Sequence, residues 1–474
     1  MLDIDLHLRP TDLAGAVGYV FDLSARKLRL QFERWDPAQG SPVVTVEGRY
    51  RPCGWTEWTL GFFFGSALLQ YEATGEEEFL ERGKKGTLEH MVPHLVHTGI
   101  HDHGFQIAGT YGILLRLAAR GRIEALPWEI AYYRTALRVS GAVQAARWTE
   151  LKDGYGYIHS FNGPHSLFID TMRTLRSLAL AHRLGQYLPG ENDERINLFH
   201  RLLRHARTTA RYNVSRGDGR DRYDERGRTA QEAVFNVRNG SFRCLSTHQG
   251  YSPFSTWTRG LAWAVCGFAE ILEFCSMATE EEFPYDFDKD TALTCFESAV
   301  RDTIEYYIAH VHTDGIPYWD TAAPGLRESG VFLEKKSDPF NDVEPIDSSA
   351  AVVAAQGMLR FALYLERSGR SSEAATYRAA GLTIARTLFD RPYLSTGSDH
   401  EGLILHSVYH YPKGWDYVPP GKNIPCGESS QWGDYHAREL ALIIRRMGEG
   451  TRVPTFFDGL FPDDGGVGNA GPAH

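Results

Sequence analysis

The chain has 474 residues, a mass of 53.3 kDa and a net charge of −10, and 42% of its residues are apolar. This length allows one large domain or two to three smaller ones, with enough apolar residues for a sizeable core. The acidic balance argues against a nucleic-acid partner, because no basic stripe of the required density is evident.

The cysteine spacing and the N-terminal residues indicate the cellular compartment in which the protein is expected. The six cysteines are far apart and have no CxxC spacing, so we expect buried thiols of a reducing compartment, without disulfides or a zinc site. No basic segment followed by an apolar one opens the chain, and the longest apolar runs are too short to cross a bilayer. We therefore expect a cytoplasmic protein with no membrane partner.

Helical periodicity dominates the chain, and alternating β-branched runs are scarce. The pattern predicts twelve helices, at about 12–33, 58–73, 76–91, 101–119, 127–143, 164–183, 192–212, 257–274, 290–311, from 347, 371–389 and 433–446. Residues 43–50 read as a short extended lead-in. Long irregular insertions occupy 213–251, 312–346 and 390–431.

Twelve helices without a strict sequence repeat favour an all-α double ring, the (α/α)6 barrel, in which six inner helices are enclosed by six outer ones. We expect one catalytic domain over 1–447 and a Gly/Pro-rich tail over 448–474. The long insertions all lead into even-numbered helices, so they would gather at one end. Glycines and alanines concentrate in the same helices, which suits close backbone packing in an inner ring.

Polar and aromatic residues cluster at the starts of the even-numbered helices. These clusters are Trp55 to Trp58, His101-Asp102-His103, His165 to Asp170, His248 to Tyr251 with Trp257, Asp347-Ser348-Ser349, and Trp432 to His436. In a ring of parallel inner helices their N-termini would open onto one mouth. Free N–H groups and the helix dipole would favour an anionic ligand there, carboxylated or phosphorylated.

Asp170 is the carboxylate on which this interpretation centres. Asn162-Gly163 breaks the chain and Pro164 suits a first helical position, so Asp170 is expected in the second turn of the sixth helix. A carboxylate behind Phe168 and Ile169 is costly unless it is paired, hydrogen-bonded or neutral. Taken alone, it is equally a satisfied carboxylate at a helix start.

Other readings remain open for several residues. Asp102 and Asp347 are good N-caps. Arg259 and Trp263, four residues apart, could stack on each other, or Arg259 could bind a substrate carboxylate. The histidines between 90 and 103 raise the question of a metal site, but Pro93 and Gly99 interrupt their spacing, so we expect no metal. No nucleophile elbow or phosphate-binding glycine loop is present, and no cofactor is expected.

Two carboxylates at an aromatic mouth suit acid–base chemistry on sugars. The clusters also resemble, in order, the motifs of the unsaturated glucuronyl hydrolases, glycoside hydrolase family 88. The matching blocks are His101-Asp102-x-Gly104-Phe105, Phe161-Asn162-Gly163 with Phe168-Ile169-Asp170-Thr171-Met172, His248 to Ser252 with Trp257-x-Arg259-Gly260-x-x-Trp263, Pro317 to Asp320, Asp347 to Ala351, and Trp432 to Tyr435. They cover residues 55–445.

The resemblance implies an (α/α)6 barrel and an enzyme that removes a terminal Δ4,5-unsaturated uronic acid from oligosaccharides left by a lyase. It implies hydration of the C4=C5 vinyl ether, in which an aspartic acid protonates C4 and water adds at C5. By the family pattern, Asp170 would be that acid and then the base, supported by Asp102.

The resemblance also implies the substrate-binding residues. Gln249, Trp257, Arg259, Trp263 and His101 would line the sugar pocket. Ser429 and Ser430 would lie near the substrate carboxylate. Gln231 stands where the family is expected to have a histidine near the uronate or sulfate.

Two other positions depart from the pattern. Arg173 follows Met172 where a neutral residue is expected, and Phe62-Phe63-Phe64 stands where the family tends to have a tryptophan. These departures bear on substrate preference more than on reaction type. The alternatives to an unsaturated glucuronyl hydrolase are an unsaturated rhamnogalacturonyl hydrolase, a polysaccharide lyase, a sugar epimerase and a catalytically silent sugar-binding barrel.

Overall fold

The computed structural model describes residues 1–53 and 57–461. Within these ranges the chain forms fourteen α-helical segments, several of which are parts of one longer helix. They are α1 (Ala14–Arg34), α2 (Leu60–Thr74), α3 (Glu77–His90), α4 (His103–Gln106), α5 (Ile113–Ala119), α6 (Pro127–Ala146), α7 (Thr171–Thr174), α8 (Arg176–Arg183), α9 (Leu198–Tyr212), α10 (Thr258–Met277), α11 (Lys289–Ala309), α12 (Ser348–Arg367), α13 (Ser371–Leu388) and α14 (Gln431–Gly448).

These segments build two concentric rings. The inner ring runs α2, α4–α5, α7–α8, α10, α12 and α14, and it closes because α14 packs against α2. A π-helical turn, Ala108–Gly112, joins α4 to α5. The outer ring consists of α1, α3, α6, α9, α11 and α13. The predicted (α/α)6 barrel is confirmed.

Close backbone packing inside the ring explains two of the glycines. A Cβ atom on Gly104 of α4 would collide with the carbonyl oxygen of Thr174 at the end of α7. A Cβ atom on Gly267 of α10 would lie 2.7 Å from the backbone nitrogen of Arg173. Alanine would be the better helix former by about 1 kcal/mol, so these glycines serve the contact between inner helices.

The barrel axis holds buried charge as well as apolar side chains. Arg173, which departs from the family pattern, is fully buried on α7. Its Nε lies 3.1 Å from Glu270 Oε2, and its Nη2 donates to Glu439 Oε2 at 2.8 Å. Because both partners come from other inner helices, Arg173 connects three helices of the inner ring and does not face the site.

The loops of the described residues contain nine short β-strands. They are β1 (Val44–Val46), β2 (Arg49–Arg51), β3 (Trp148–Glu150), β4 (Gly156–Ile158), β5 (Ser166–Phe168), β6 (Tyr187–Pro189), β7 (Arg195–Asn197), β8 (Glu232–Phe235) and β9 (Phe242–Ser246) among the described residues. β5, β8 and β9 form one antiparallel sheet, with Phe168 opposite Glu232.

The expected start of the sixth helix at residue 164 is wrong. Gly163 has φ +110 and makes a turn, after which residues 166–168 pair with β8 as β5. The helix begins only at Thr171, so Asp170 occupies the N-cap position and not the second helical turn. The seventh helix also begins later than expected, because the β6–β7 hairpin precedes Asn197, whose side chain caps α9.

The segment after α14 is bound to the barrel as far as it is described. Phe456, Phe457 and Phe461 are buried, with ring centroids 5.6 to 5.9 Å from that of Phe274 on α10. Residues 449–461 of the Gly/Pro-rich tail are therefore packed on the barrel. The rest of the tail, 462–474, lies outside the described residues.

Two helices in the described ranges, α10 and α12, are long and apolar enough to cross a membrane by length and composition. In the barrel they belong to the inner ring, and 89% and 94% of their apolar segments are buried. A core helix of a large protein passes the same test.

Candidate functional site

Four of the six polar clusters contribute residues to a pocket at one end of the barrel, and the clusters at 347–349 and 432–436 do not line it. Its lining comprises Trp58, Ile100, His101, Asp102, Phe105, Phe161, Asp170, His248, Gln249, Trp257, Arg259, Trp263, Tyr409, His410 and Trp415. Seven of the ten sequence-predicted site residues are in this set. Trp55, at the start of the predicted cluster 55–58, lies outside the described residues.

His101 lies between the two predicted aspartates. Its Nε2 is 3.8 Å from Asp102 Oδ1 and 3.8 Å from Asp170 Oδ2. All three side chains are at least 87% shielded from solvent, with exposed fractions of 2%, 12% and 13%. A cation in this position attracts both carboxylates and reduces their mutual repulsion.

Burial and charge shift the proton affinity of this group. Burial alone would lower the pKa of His101, but attraction to Asp102 and Asp170 outweighs it and raises that pKa. Burial raises the pKa of Asp102, and repulsion from Asp170 adds to the rise, while His101 opposes it. The structure therefore favours an imidazolium beside the two carboxyl groups.

Neither aspartate serves as a capping side chain. Asp102 precedes α4 and Asp170 precedes α7, yet neither carboxylate accepts a hydrogen bond from its helix. Asp347, in contrast, accepts from the Ser349 backbone N–H at 3.0 Å and caps α12. The capping explanation thus holds for Asp347 and fails for Asp102 and Asp170, whose carboxylates face the pocket.

Gln249 lies in the pocket and Gln231 lies behind it. Gln231 Oε1 accepts from the backbone N–H groups of His248 and Gln249, each at 2.6 Å. Gln231 Nε2 donates to Gln249 Oε1 at 3.1 Å, and Gln249 Nε2 donates to the Tyr409 carbonyl at 3.2 Å. Gln231 is therefore a positioning residue that holds the 248–249 turn.

Arg259 is directed into the protein. Its Nη1 donates to Asp347 Oδ2 at 2.9 Å and to the Val408 carbonyl, and its Nη2 donates to the Tyr409 carbonyl at 2.6 Å. Its guanidinium also stacks 4.6 Å from the Trp257 ring. Because these partners occupy the fork of the guanidinium, Arg259 supports the pocket wall instead of offering a free bidentate partner for a carboxylate.

Aromatic rings form the remaining walls. Trp263 packs against Phe105 with ring centroids 4.8 Å apart, deep in the barrel. Phe161 stacks on His101 at 6.0 Å and meets His248 edge-on at 5.3 Å. Such faces suit a pyranose ring, whose C–H groups pack on aromatic surfaces.

Ser429 and Ser430 are not in the pocket. Ser429 Oγ donates to the Ile404 carbonyl at 2.7 Å, and Ser430 Oγ accepts from the Gly433 N–H at 3.2 Å as the cap of α14. Both side chains are buried. Their positions do not fit the expected contact with a substrate carboxylate, because their hydroxyl groups serve the loop and the helix start.

The sequence reasoning missed the loop that carries Tyr409, His410 and Trp415. Asp416 fixes this loop by accepting from the backbone N–H groups of Tyr409 and His410. His410 is 2% exposed and its two ring nitrogens make no hydrogen bond within the described residues. The run of aromatic and histidine residues at 409–415 is the one signal that could have marked it.

The histidines between 90 and 103 do not converge. His90 packs edge-on to Trp35, and His103 bonds to Ser140 Oγ and to the His97 carbonyl, both at 2.9 Å. In residues 1–53 and 57–461, no three His, Cys, Asp or Glu side chains are grouped so that they could hold a metal ion.

A roomier cavity of about 300 Å³ lies between α1 and the β1–β2 hairpin. Of its two carboxylates, Glu401 is paired with Arg34 at 3.1 Å and accepts from the Tyr50 N–H at 2.7 Å, and Asp36 accepts from the Ala38 N–H at 3.0 Å. Because these carboxylates are already bound, the cavity lacks the reactive pair of groups that marks the smaller pocket.

The inner-ring pocket, with two carboxylates on either side of His101 and aromatic walls, is that of a barrel-type carbohydrate-active enzyme. No family model matches the chain. The chain is 25% identical over 444 residues to an unsaturated glucuronyl hydrolase of Bacillus sp. (strain GL1), with 91% of this chain and 96% of the relative covered. It is 24% identical over 408 residues to an unsaturated chondroitin disaccharide hydrolase of Streptococcus agalactiae serotype III, with 84% of each covered.

The solved structures agree with the sequence comparison. The crystal structure of the unsaturated glucuronyl hydrolase from Bacillus sp. GL1 superposes with a TM-score of 0.67 at 24% identity, covering 91% of this chain and 96% of that chain. The resemblance drawn from the sequence blocks is confirmed: the chain is similar to unsaturated glucuronyl hydrolases over most of its length and has the fold of their crystal structure.

Proposed function

We propose that this chain is a glycoside hydrolase that removes a terminal Δ4,5-unsaturated uronic acid from lyase-derived oligosaccharides. The observation that carries the proposal is His101 between Asp102 and Asp170, with both carboxylates free of capping bonds and facing the pocket. The names of the relatives, which include glucuronyl and chondroitin disaccharide hydrolases, support the substrate class.

The chemistry is hydration of a vinyl ether. Asp170 gives a proton to C4, and water adds to the resulting cation at C5 while Asp170 takes a proton from that water. The product is a hemiketal, whose C5–O bond to the ring oxygen breaks, so that C5 becomes a ketone. The opened C1 hemiacetal then releases the neighbouring sugar as an alcohol.

His101 and Asp102 assist this cycle through charge. When Asp170 gives up its proton, the His101 imidazolium 3.8 Å away stabilises the new carboxylate. Asp102, whose pKa is raised by burial, keeps a proton more readily than an exposed aspartate and limits repulsion at Asp170. General acid–base catalysis of this kind contributes roughly 10²- to 10⁴-fold in rate.

The pocket must widen to take a sugar ring. It encloses about 50 Å³, well below the roughly 300–1,000 Å³ common for ligand sites. The wall formed by Tyr409, His410 and Trp415 belongs to a loop, and the facing residues lie on inner helices or on the segments that precede them.

The test is an absorbance assay on a panel of unsaturated disaccharides from chondroitin, hyaluronan, heparin, gellan and rhamnogalacturonan. Hydration removes the conjugated C4=C5 bond, so ultraviolet absorbance falls as product forms. A rise in absorbance on intact polysaccharide would identify a lyase and contradict the proposal. Turnover of the rhamnogalacturonan disaccharide alone would move the substrate to the rhamnogalacturonyl type.

A cytoplasmic location is part of the proposal. It is supported by the six cysteines, all of which are free thiols. Fractionation of cells that express the full-length chain tests it, and recovery outside the cytoplasm would contradict it.

A further inference from the structure

The arginines of the chain are concentrated in one segment. Residues 201–228 contain nine arginines against four acidic residues, in a protein whose net charge is −10. Four of them, Arg201, Arg204, Arg207 and Arg211, are spaced three or four residues apart along α9, so they share one face of the helix. The chain therefore has a local basic surface although its net charge is negative.

Two adjoining cavities open along this surface. The first, of about 310 Å³, lies between the end of α9 and the start of α11, and the second, of about 440 Å³, lies under the 216–224 loop. Arg211 and Arg216 line both cavities, so the two form one groove. The groove shares no lining residue with the pocket that contains Asp102 and Asp170.

Several guanidinium groups in the groove have free donors. Arg211 is exposed, and within the described ranges it makes no hydrogen bond or ion pair. Arg220 donates to the Tyr212 carbonyl at 3.0 Å and to Ser215 Oγ at 3.1 Å, and its Nε lies 3.5 Å from Asp221 Oδ2, so three of its five N–H groups are engaged. Arg207 is held between the rings of Tyr155 and Phe287, at 4.9 and 4.4 Å.

Most carboxylates of the groove are already bound to other partners, although Asp218 also lines it. Asp224 accepts backbone N–H groups from residues 216, 217, 219 and 220. Asp288 caps α11 through the Thr291 N–H at 2.8 Å, and Asp286 Oδ2 lies 3.0 Å from His200 Nε2. Because these three anions are satisfied locally, they compete little for Arg211, whereas Arg220 keeps a contact with Asp221 Oδ2 at 3.5 Å.

An aromatic platform lies at the outer end of the groove. The rings of Tyr212 and Phe242 stack with centroids 5.4 Å apart and an angle of 24° between their planes. Phe242 is 36% exposed. Exposed aromatic faces beside guanidinium groups suit a ligand that has both sugar rings and anionic groups.

We propose that this groove is a second binding site for an acidic oligosaccharide, separate from the catalytic pocket. Arg211, Arg220 and Arg207 would bind its carboxylate or sulfate groups, and Phe242 would pack on a sugar ring. The proposal rests on the proposed function, because a uronate-degrading enzyme meets longer acidic chains of the same class as its substrate. Binding such chains would raise the local concentration of substrate near the pocket.

The experiment uses the full chain carrying Asp170→Asn, so that turnover does not interfere. Titration calorimetry measures binding of a saturated hexasaccharide of alternating glucuronate and N-acetylhexosamine, which has no C4=C5 bond. Arg211→Glu combined with Arg220→Glu should weaken this binding at least tenfold. Arg211→Lys with Arg220→Lys should weaken it less, and Arg9→Glu, a single charge reversal at an exposed residue elsewhere, should leave it unchanged.

Unchanged affinity in the double Glu variant, with a wild-type circular dichroism spectrum and melting temperature, would overturn the site. Absence of binding in the parent chain, or displacement by single-stranded RNA that itself binds far more tightly, would also overturn it. The proposed function is measured separately, as turnover of an unsaturated disaccharide by the chain with Asp170 intact. Arg211→Glu/Arg220→Glu should not change that turnover, so the two proposals fail independently.

Discussion

Arg259 Nη1 donates to Asp347 Oδ2 at 2.9 Å, across two neighbouring inner helices and beneath the pocket. The pair is buried, with 3% and 0% of the side chains exposed. Arg259 also holds the carbonyl groups of Val408 and Tyr409, so this ion pair connects the barrel core to the loop that walls the pocket.

Removal of one member of this pair should be costly. Arg259→Met leaves the Asp347 carboxylate buried without its cation, and we expect the free energy of unfolding to fall by about 3–5 kcal/mol. Asp347→Asn alone should also destabilise the fold. The double variant should lose less than the sum of the two, by roughly 0.5–3 kcal/mol in a denaturation cycle. Additive losses would show that the pair is not coupled.

The positive charge of His101 should make stability depend on pH. Its pKa is raised above the usual 6.5, so its contribution is fully present below about pH 6.5 and is lost as pH rises through the raised value. His101→Gln should therefore lower the free energy of unfolding more at pH 6 than at pH 9. Urea denaturation at the two pH values measures this difference.

His205→Gln is the matched control for His101. His205 is buried, and burial lowers its pKa to about 3, so it is neutral at both pH values. Its substitution should cost less free energy at pH 6 than at pH 9, the opposite of His101, because at pH 6 a proton binds this histidine only in the unfolded chain. An equal cost at both pH values for His101→Gln would contradict the charged state of that residue.

Gln231 should act on substrate binding through the 248–249 turn. Gln231→Ala leaves the N–H groups of His248 and Gln249 without their acceptor, at about 1–3 kcal/mol for each group that remains buried. KM should rise more than kcat falls. Gln231→Glu keeps the acceptor and loses only the donor to Gln249. Its KM should therefore lie between that of the unsubstituted chain and that of Gln231→Ala. A wild-type KM in Gln231→Ala would contradict the positioning role of Gln231.

Asp416 should make the pocket loop sensitive to acid. Burial raises the pKa of Asp416 to about 6, and its carboxylate accepts from the backbone N–H groups of Tyr409 and His410. As pH falls through about 6, the protonated carboxyl accepts less strongly, so KM should rise. Asp416→Asn should have a raised KM with little change between pH 5 and 7. If that variant retains the wild-type pH dependence of KM, another group controls it.

The sequence predicted the helices well because each apolar stripe repeats within a single segment. The start of the sixth helix was placed too early because residues 166–168 are held as a strand by pairing with β8, more than sixty residues later in the chain. A periodic pattern carries no information about such a distant partner. Asp170 consequently stands before its helix.

The candidate site was predicted best where residues begin inner helices, whereas the loop residues Tyr409, His410 and Trp415 were missed. Asp102, Asp170 and Trp257 reach the pocket because the ring gathers helix N-termini at one mouth. His410 and Trp415 reach it through a loop whose path depends on Asp416 and Arg259. Arg259 was expected to face a ligand, but Asp347 on the next helix attracts it inward.

The most direct test of the central claim is the rate at which the chain removes the C4=C5 absorbance of an unsaturated disaccharide, with and without Asp170→Asn. We predict that the variant loses roughly 10²- to 10⁴-fold in kcat while its circular dichroism spectrum and substrate Kd stay near those of the unsubstituted chain. Wild-type turnover in Asp170→Asn would contradict the account, because an asparagine cannot deliver the proton to C4.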